Sequence, residues 1–182
     1  MKVLSVASEA VPLIKTGGLA DVAGALPSAL APSGVEVTTL LPGYPSVLKA
    51  IGRARAVHAW DSLLGVSARL LSAKIDGHPL LVLDAPALFT REGAPYTDGA
   101  GRDWGDNWHR FSAFGRAAAD IAGGAMVSRG KATRYDVVHA HDWQAAMACA
   151  YLRFAPFGGD EGRVPSVVTV HNLSLIHISE PT

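Results

Sequence analysis

The 182-residue chain holds a single cysteine, Cys149. One thiol excludes an internal disulfide, and with no secretion signal it makes the cytoplasm the expected compartment. Charge of one sign is not in excess: 16 basic residues balance 16 acidic ones. No basic stripe marks a nucleic-acid partner, and no charge block marks a disordered tail. No apolar run approaches the roughly 20 residues that span a bilayer, so no membrane partner is expected. The first residues, with early Lys2, resemble a signal peptide only in part. Glu9, Pro12 and Lys15 interrupt the apolar stretch, and a strand fits it better. Two nucleotide fingerprints are missing as well: neither G-x-x-x-x-G-K-[ST] nor G-x-G-x-x-G occurs, which disfavours a P-loop enzyme and a nicotinamide-dependent oxidoreductase.

What is present is a hydrophobic content of 49% on a chain long enough for one substantial core. Lys2–Ala7 reads as a buried strand. Leu19–Ala31 reads as a helix, with Leu19, Val22, Ala23, Leu26 and Leu30 near helical spacing and Pro27 as a possible kink. Val35–Leu41 is a second strand. This β-α-β start opens a doubly wound sheet. Strands at Val57–Trp60, Val66–Ile75 and Leu80–Leu83 follow, with Asp76-Gly77 as a hairpin signal. Thr90–Asn107 is a long Gly, Asp and Pro-rich loop of a length that is often functional. Then come a helix at Trp108–Ala125, a strand at Tyr135–His141, a helix at Trp143–Phe154 and a strand at Val164–Val170. The fold class expected is α/β with a parallel-sheet core and a β-hairpin region.

The chemistry concentrates at strand ends. Lys15-Thr16-Gly17-Gly18 sits at the first strand-to-helix turn. Glycines there let backbone approach a ligand, and a lysine offsets phosphate charge. The bland alternative is a glycine turn with a solvated lysine. Asp21 is either a helix-start carboxylate or a ligand group. "VVHAHDW" puts His139 and His141 on one side of a strand, with Asp142 following as a site residue or a helix cap. H-x-H could bind a metal, but a third separated ligand is not evident. "VVTVHN" ends another strand in His171-Asn172. Polar strand ends that converge with the glycine turn would share one crevice. Tyr96, Asp98, Trp104, Asn107 and Trp108 lie in or beside the long loop, where aromatic faces and short polar groups suit sugar rings. Trp108 and Trp143 read as packing residues.

Taken together, "SEAVPLIKTGGLADVAGALP", "LLPGYP", "DAPALFTREGAPYTD", "DNWHRF", "DVVHAHDWQAAMACAYL" and "VTVHN" resemble the N-terminal part of the ADP-glucose-dependent bacterial glycogen synthases and plant starch synthases. The resemblance runs in consistent order over about Met1–Leu173. It implies a Rossmann-like N-terminal domain of the GT-B architecture. It also implies glucose transfer from ADP-glucose to the non-reducing end of an α-1,4-glucan, with retained configuration and no cofactor or required metal. By motif position it assigns Lys15 and Gly18 to the donor's phosphate region. Tyr96, Asp142, His171 and Asn172 then surround the transferred glucose or acceptor, with His171 and Asp142 as the catalytic candidates. A non-catalytic sugar or nucleotide-binding module is the alternative. After Leu173 the chain departs from the family; with Leu173 included, "LSLIHISEPT" resembles a translated sequencing adapter, and Leu173 fits either part. The expectation is a partial domain at 1–173, a foreign tail at 174–182, some exposed apolar faces, and negligible transfer by this polypeptide alone.

Overall fold

The structure, a computed structural model, describes residues 1–128 and 130–171, apart from the side chains of 161 and 162. Asn172 and the tail expected from 174 lie outside the described residues. The elements are β1 (Lys2–Val6), α1 (Gly18–Leu30), β2 (Glu36–Pro42), α2 (Pro45–Ile51), β3 (Arg55–Leu63), β4 (Val66–Ile75), β5 (His78–Asp84), α3 (Pro86–Phe89), α4 (Asn107–Gly123), β6 (Val127–Ser128), β7 (Lys131–Ala132), β8 (Val137–His141), α5 (Asp142–Phe154) and β9 (Ser166–Thr169).

Seven strands form one sheet in the order β3-β4-β5-β2-β1-β8-β9. The β5-β2-β1-β8-β9 contacts are parallel, and β3-β4-β5 is an antiparallel meander on one edge. This is the expected α/β class. Strand order reverses beside β1, with β2 on one side and β8 on the other. That is the switch point at which such sheets open a crevice beyond their C-terminal ends.

The central strands are apolar because they are covered on both faces: Leu4, Val6, Leu40, Val82, Leu83, Val138 and Ala140 are all fully buried. The Asp76-Gly77 hairpin forms between Ile75 and His78, both turn residues having φ above zero. A second two-residue turn, Leu64-Gly65, joins β3 to β4 in the same sense. Leucine is an unusual occupant of that conformation, so no turn signal announced it. The helix α2 was also not expected, because Pro42-Gly43 reads as an ending. Here Pro45 begins the helix from its first turn, where a missing N–H costs nothing.

Pro27 lies inside α1 without dividing it. α4 is buried along most of its length and crosses α5 closely at Gly115. A Cβ there would stand 2.7 Å from the Ala148 nitrogen. At the outer edge Val167, Val168 and Val170 are exposed, as is Phe154. Among the described residues, no helix is long and apolar enough to cross a membrane.

Candidate functional site at the strand ends

The C-terminal ends of the neighbouring strands β1 and β8 lead into most of the residues singled out above. On the β1 side the chain passes from Val6 through Ser8 and Glu9 to the Lys15–Gly18 turn and into α1. A Cβ on Gly17 or Gly18 would meet nothing within 4 Å, so the backbone at the start of α1 is open to approach. Gly17 is extended (φ −149) and provides no side-chain cap, leaving first-turn N–H groups for another acceptor. Lys15 Nζ lies 2.7 Å from each Asp21 oxygen, and the pair is half-exposed. Asp21 is thus the lysine's resting partner.

What holds this turn is Glu9, a residue sequence reasoning used only as an interruption of an apolar run. Its carboxylate is buried. One oxygen accepts from the Thr16 backbone N–H; the other accepts from the Thr16 hydroxyl at 2.7 Å and from the Tyr96 phenol. The Tyr96 hydroxyl also lies 2.7 Å from Ser8 Oγ. Burial, with smaller contributions from neighbouring Tyr44 and Glu9, raises the phenol's pKa well above its ordinary value, so Tyr96 stays a neutral donor. A single carboxylate therefore ties the glycine turn to the long loop. The one available signal was an acidic residue placed directly after a buried strand.

The loop from Thr90 to Asp106 is ordered by Arg110 of α4, a fully buried guanidinium. It donates to the carbonyls of Leu88 (2.7 Å) and Pro95 (2.9 Å) and to Asn107 Oδ1 (2.7 Å), while Asn107 Nδ2 donates to the Tyr96 carbonyl. Arg91 pairs with Asp106 and holds that carboxyl below the usual range. Tyr96 is thereby held beside Ser8 and Glu9, with Asn107 bracing its carbonyl. Trp108 does not anchor the loop as expected: it is 72% exposed, because it precedes the buried Arg110-Phe111 stripe by less than a helical turn. Trp143 packs edge-on against Phe111 at 5.1 Å, with part of its ring still exposed.

On the β8 side three imidazoles cluster. His139 and His141 share one side of the strand, their rings 4.1 Å apart. His139 Nε2 lies 2.7 Å from Thr169 Oγ1 of β9. His141 is fully buried, with Nε2 3.1 Å from Ser5 Oγ of β1 and Nδ1 3.0 Å from His171 Nε2. Burial, reinforced by His139 and His171, pushes the His141 pKa down to about 3. Burial and His171 lower His139 in the same direction. His171, the third imidazole, is therefore brought to the H-x-H pair by the parallel β8–β9 register. Among the described residues, however, no group of three or more His, Cys, Asp or Glu is arranged to hold a metal.

Asp142 follows directly, 3% exposed and with φ 62. A non-glycine residue in the left-handed region is strained, and such residues gather at functional sites. His141, not Asp142, occupies the cap position of α5.

A family model described as the starch synthase catalytic domain matches residues 2–180. The chain is 72% identical over 174 residues to a glycogen synthase of Novosphingobium aromaticivorans, covering 96% of this chain and 35% of that protein. It is 52% identical, with the same coverage, to glycogen synthase 1 of Rhizobium meliloti. Its fold is similar to the catalytic domain of starch synthase IV from Arabidopsis thaliana, solved bound to ADP and acarbose. That similarity has a TM-score of 0.68 at 27% identity and covers 94% of this chain and 34% of the other. The chain spans about a third of the length of the curated relatives it matches.

Proposed function

The chain belongs to the family of starch synthase catalytic domains, and from that premise we infer that residues 1–173 are the N-terminal part of a glycogen synthase. The reaction is transfer of glucose from ADP-glucose to the non-reducing end of an α-1,4-glucan, with retention. The observation that carries this reading is the backbone-open Lys15–Gly18 turn, which follows β1, while the neighbouring strand β8 ends at His141-Asp142 beside His171.

In this reading the donor's diphosphate lies against Lys15, Gly18 and the first turn of α1. Charge grows on the leaving diphosphate as the glycosidic bond breaks, and a fixed cation and helix-end amides stabilise it most at that moment. Lys15 must leave Asp21 for the phosphate. Because both partners are half-exposed, that ion pair is worth only about 0–1 kcal/mol and yields readily to a doubly charged ligand. Asp142, His171 and Tyr96 surround the transferred glucose, orienting it for an oxocarbenium-like transition state, and the resemblance alone adds Asn172 to them. An opposing wall is needed to exclude water. The 182 residues assayed by themselves are therefore expected to bind donor weakly and to turn over negligibly.

Donor binding tests the Lys15–Gly18 site, and transfer in the full-length context separates this reading from the alternative of a non-catalytic sugar or nucleotide-binding module. Chemical-shift mapping with ADP-glucose should move Gly17, Gly18 and His171 resonances, and Lys15→Ala should abolish the response. Response to maltooligosaccharide alone, with none to ADP-glucose, would favour a glucan-binding module instead.

A further inference from the structure

Ser5 and His141 have no part in the reading above, yet both are fully buried directly behind His171. We propose that Ser5, His141 and His171 form a one-directional hydrogen-bond chain that fixes His171 as its Nδ1–H tautomer. Ser5 and His141 are then positioning residues.

The direction follows from counting protons. The Ser5 hydroxyl carries one hydrogen, and among the described residues its side chain's hydrogen-bond partner is His141 Nε2 at 3.1 Å. A buried donor with no acceptor is the rarer and costlier defect, whereas an unused lone pair on an oxygen is tolerated. Ser5 therefore donates, and His141 Nε2 accepts. A buried imidazole beside two others is neutral and has a single N–H. With Nε2 accepting, that proton sits on Nδ1, which faces His171 Nε2 at 3.0 Å. His171 Nε2 must then accept, which leaves the His171 ring its proton on Nδ1. Free histidine favours the opposite, Nε2–H, form. The second nitrogen's hydrogen bond decides which form is present. The half-buried His171 is thereby held as a donor at Nδ1. If the glucosyltransferase reading holds, its acceptor is an oxygen of the sugar; the proton chain itself does not depend on that reading.

The test is imidazole nitrogen NMR on the 15N-labelled 182-residue chain at pH 7. Both His141 and His171 should show a protonated Nδ1 and an unprotonated Nε2. The double variant Ser5→Ala/His141→Phe replaces both supporting groups by apolar ones of similar shape. In it His171 should revert to the predominantly Nε2–H pattern of a free side chain. A wild-type His171 protonated on Nε2 overturns the proposal, and so does a folded double variant that keeps Nδ1–H. If the variant does not fold, the wild-type spectrum decides alone. Correct tautomers with no ADP-glucose binding would sink the functional reading while leaving this one standing.

Discussion

Acid should destabilise this domain through His141 in particular. The ring is fully buried and its pKa is about 3, against an ordinary 6.5. As pH falls, the unfolded chain's histidine takes up a proton near 6.5 while the native one stays neutral until about 3. The unfolded state thus binds more protons throughout that window, and stability falls with pH across it. Between pH 7 and pH 5 the loss from this one residue is about 2 kcal/mol, and it approaches about 5 kcal/mol once both states are protonated. The assay is urea unfolding of the wild type and of Ser5→Ala/His141→Phe at both pH values. His139 titrates in the same direction, but burial and His171 lower it, not His141, so its contribution remains in the variant. The wild type should therefore lose about 2 kcal/mol more than the variant between pH 7 and 5. Equal losses in the two proteins would refute the reasoning.

Glu9→Ala should cost about 2–3 kcal/mol in urea unfolding, because the Thr16 N–H and the Tyr96 hydroxyl lose a buried acceptor together. It should also weaken any ADP-glucose response. Lys15→Ala should leave the urea midpoint within about 1 kcal/mol of wild type while removing donor binding, since the Lys15–Asp21 pair is half-exposed. Gly115→Ala should destabilise by about 1–3 kcal/mol, its new methyl falling 2.7 Å from the Ala148 backbone, whereas Gly17→Ala, facing open space, should barely move stability. Arg110→Met should expose Thr90–Asp106 to limited proteolysis, because the Leu88 and Pro95 carbonyls lose the donor that orders the loop.

The central strands β1, β2, β5 and β8 were legible because they are buried on both faces and so read as short apolar runs ended by glycine, proline or charge. Period-two alternation placed His139 and His141 together correctly, and the β-α-β opening pointed to the doubly wound sheet. The turn at Leu64-Gly65 and the helix α2 were not legible, since a leucine in the left-handed region and a proline starting a helix run against local preference. Trp108 misled for a different reason: an aromatic beside a helix start suggests anchoring, but helical phase turns it outward while Arg110 and Phe111 face the core. Lys15, Gly18, Asp142 and His171 are proposed from residue type at strand ends, and the fold makes the strands that lead to them, β1 and β8, neighbours. Ser5 and Glu9 were not legible, because their roles depend on partners 136 and 87 residues away in sequence, which only the parallel register and the folded loop bring close.

The most direct measurement is glucosyl transfer by a chimera. Residues 1–171 of this chain would replace the matching third of the Novosphingobium aromaticivorans glycogen synthase, to which the chain is 72% identical. The chimera should incorporate glucose from ADP-glucose into glycogen at a rate near that of the unmodified relative, and Lys15→Ala or His171→Ala should each abolish most of it. A folded chimera without transfer, beside an active relative, would contradict the assignment of these strand ends as one wall of a glucosyltransferase cleft.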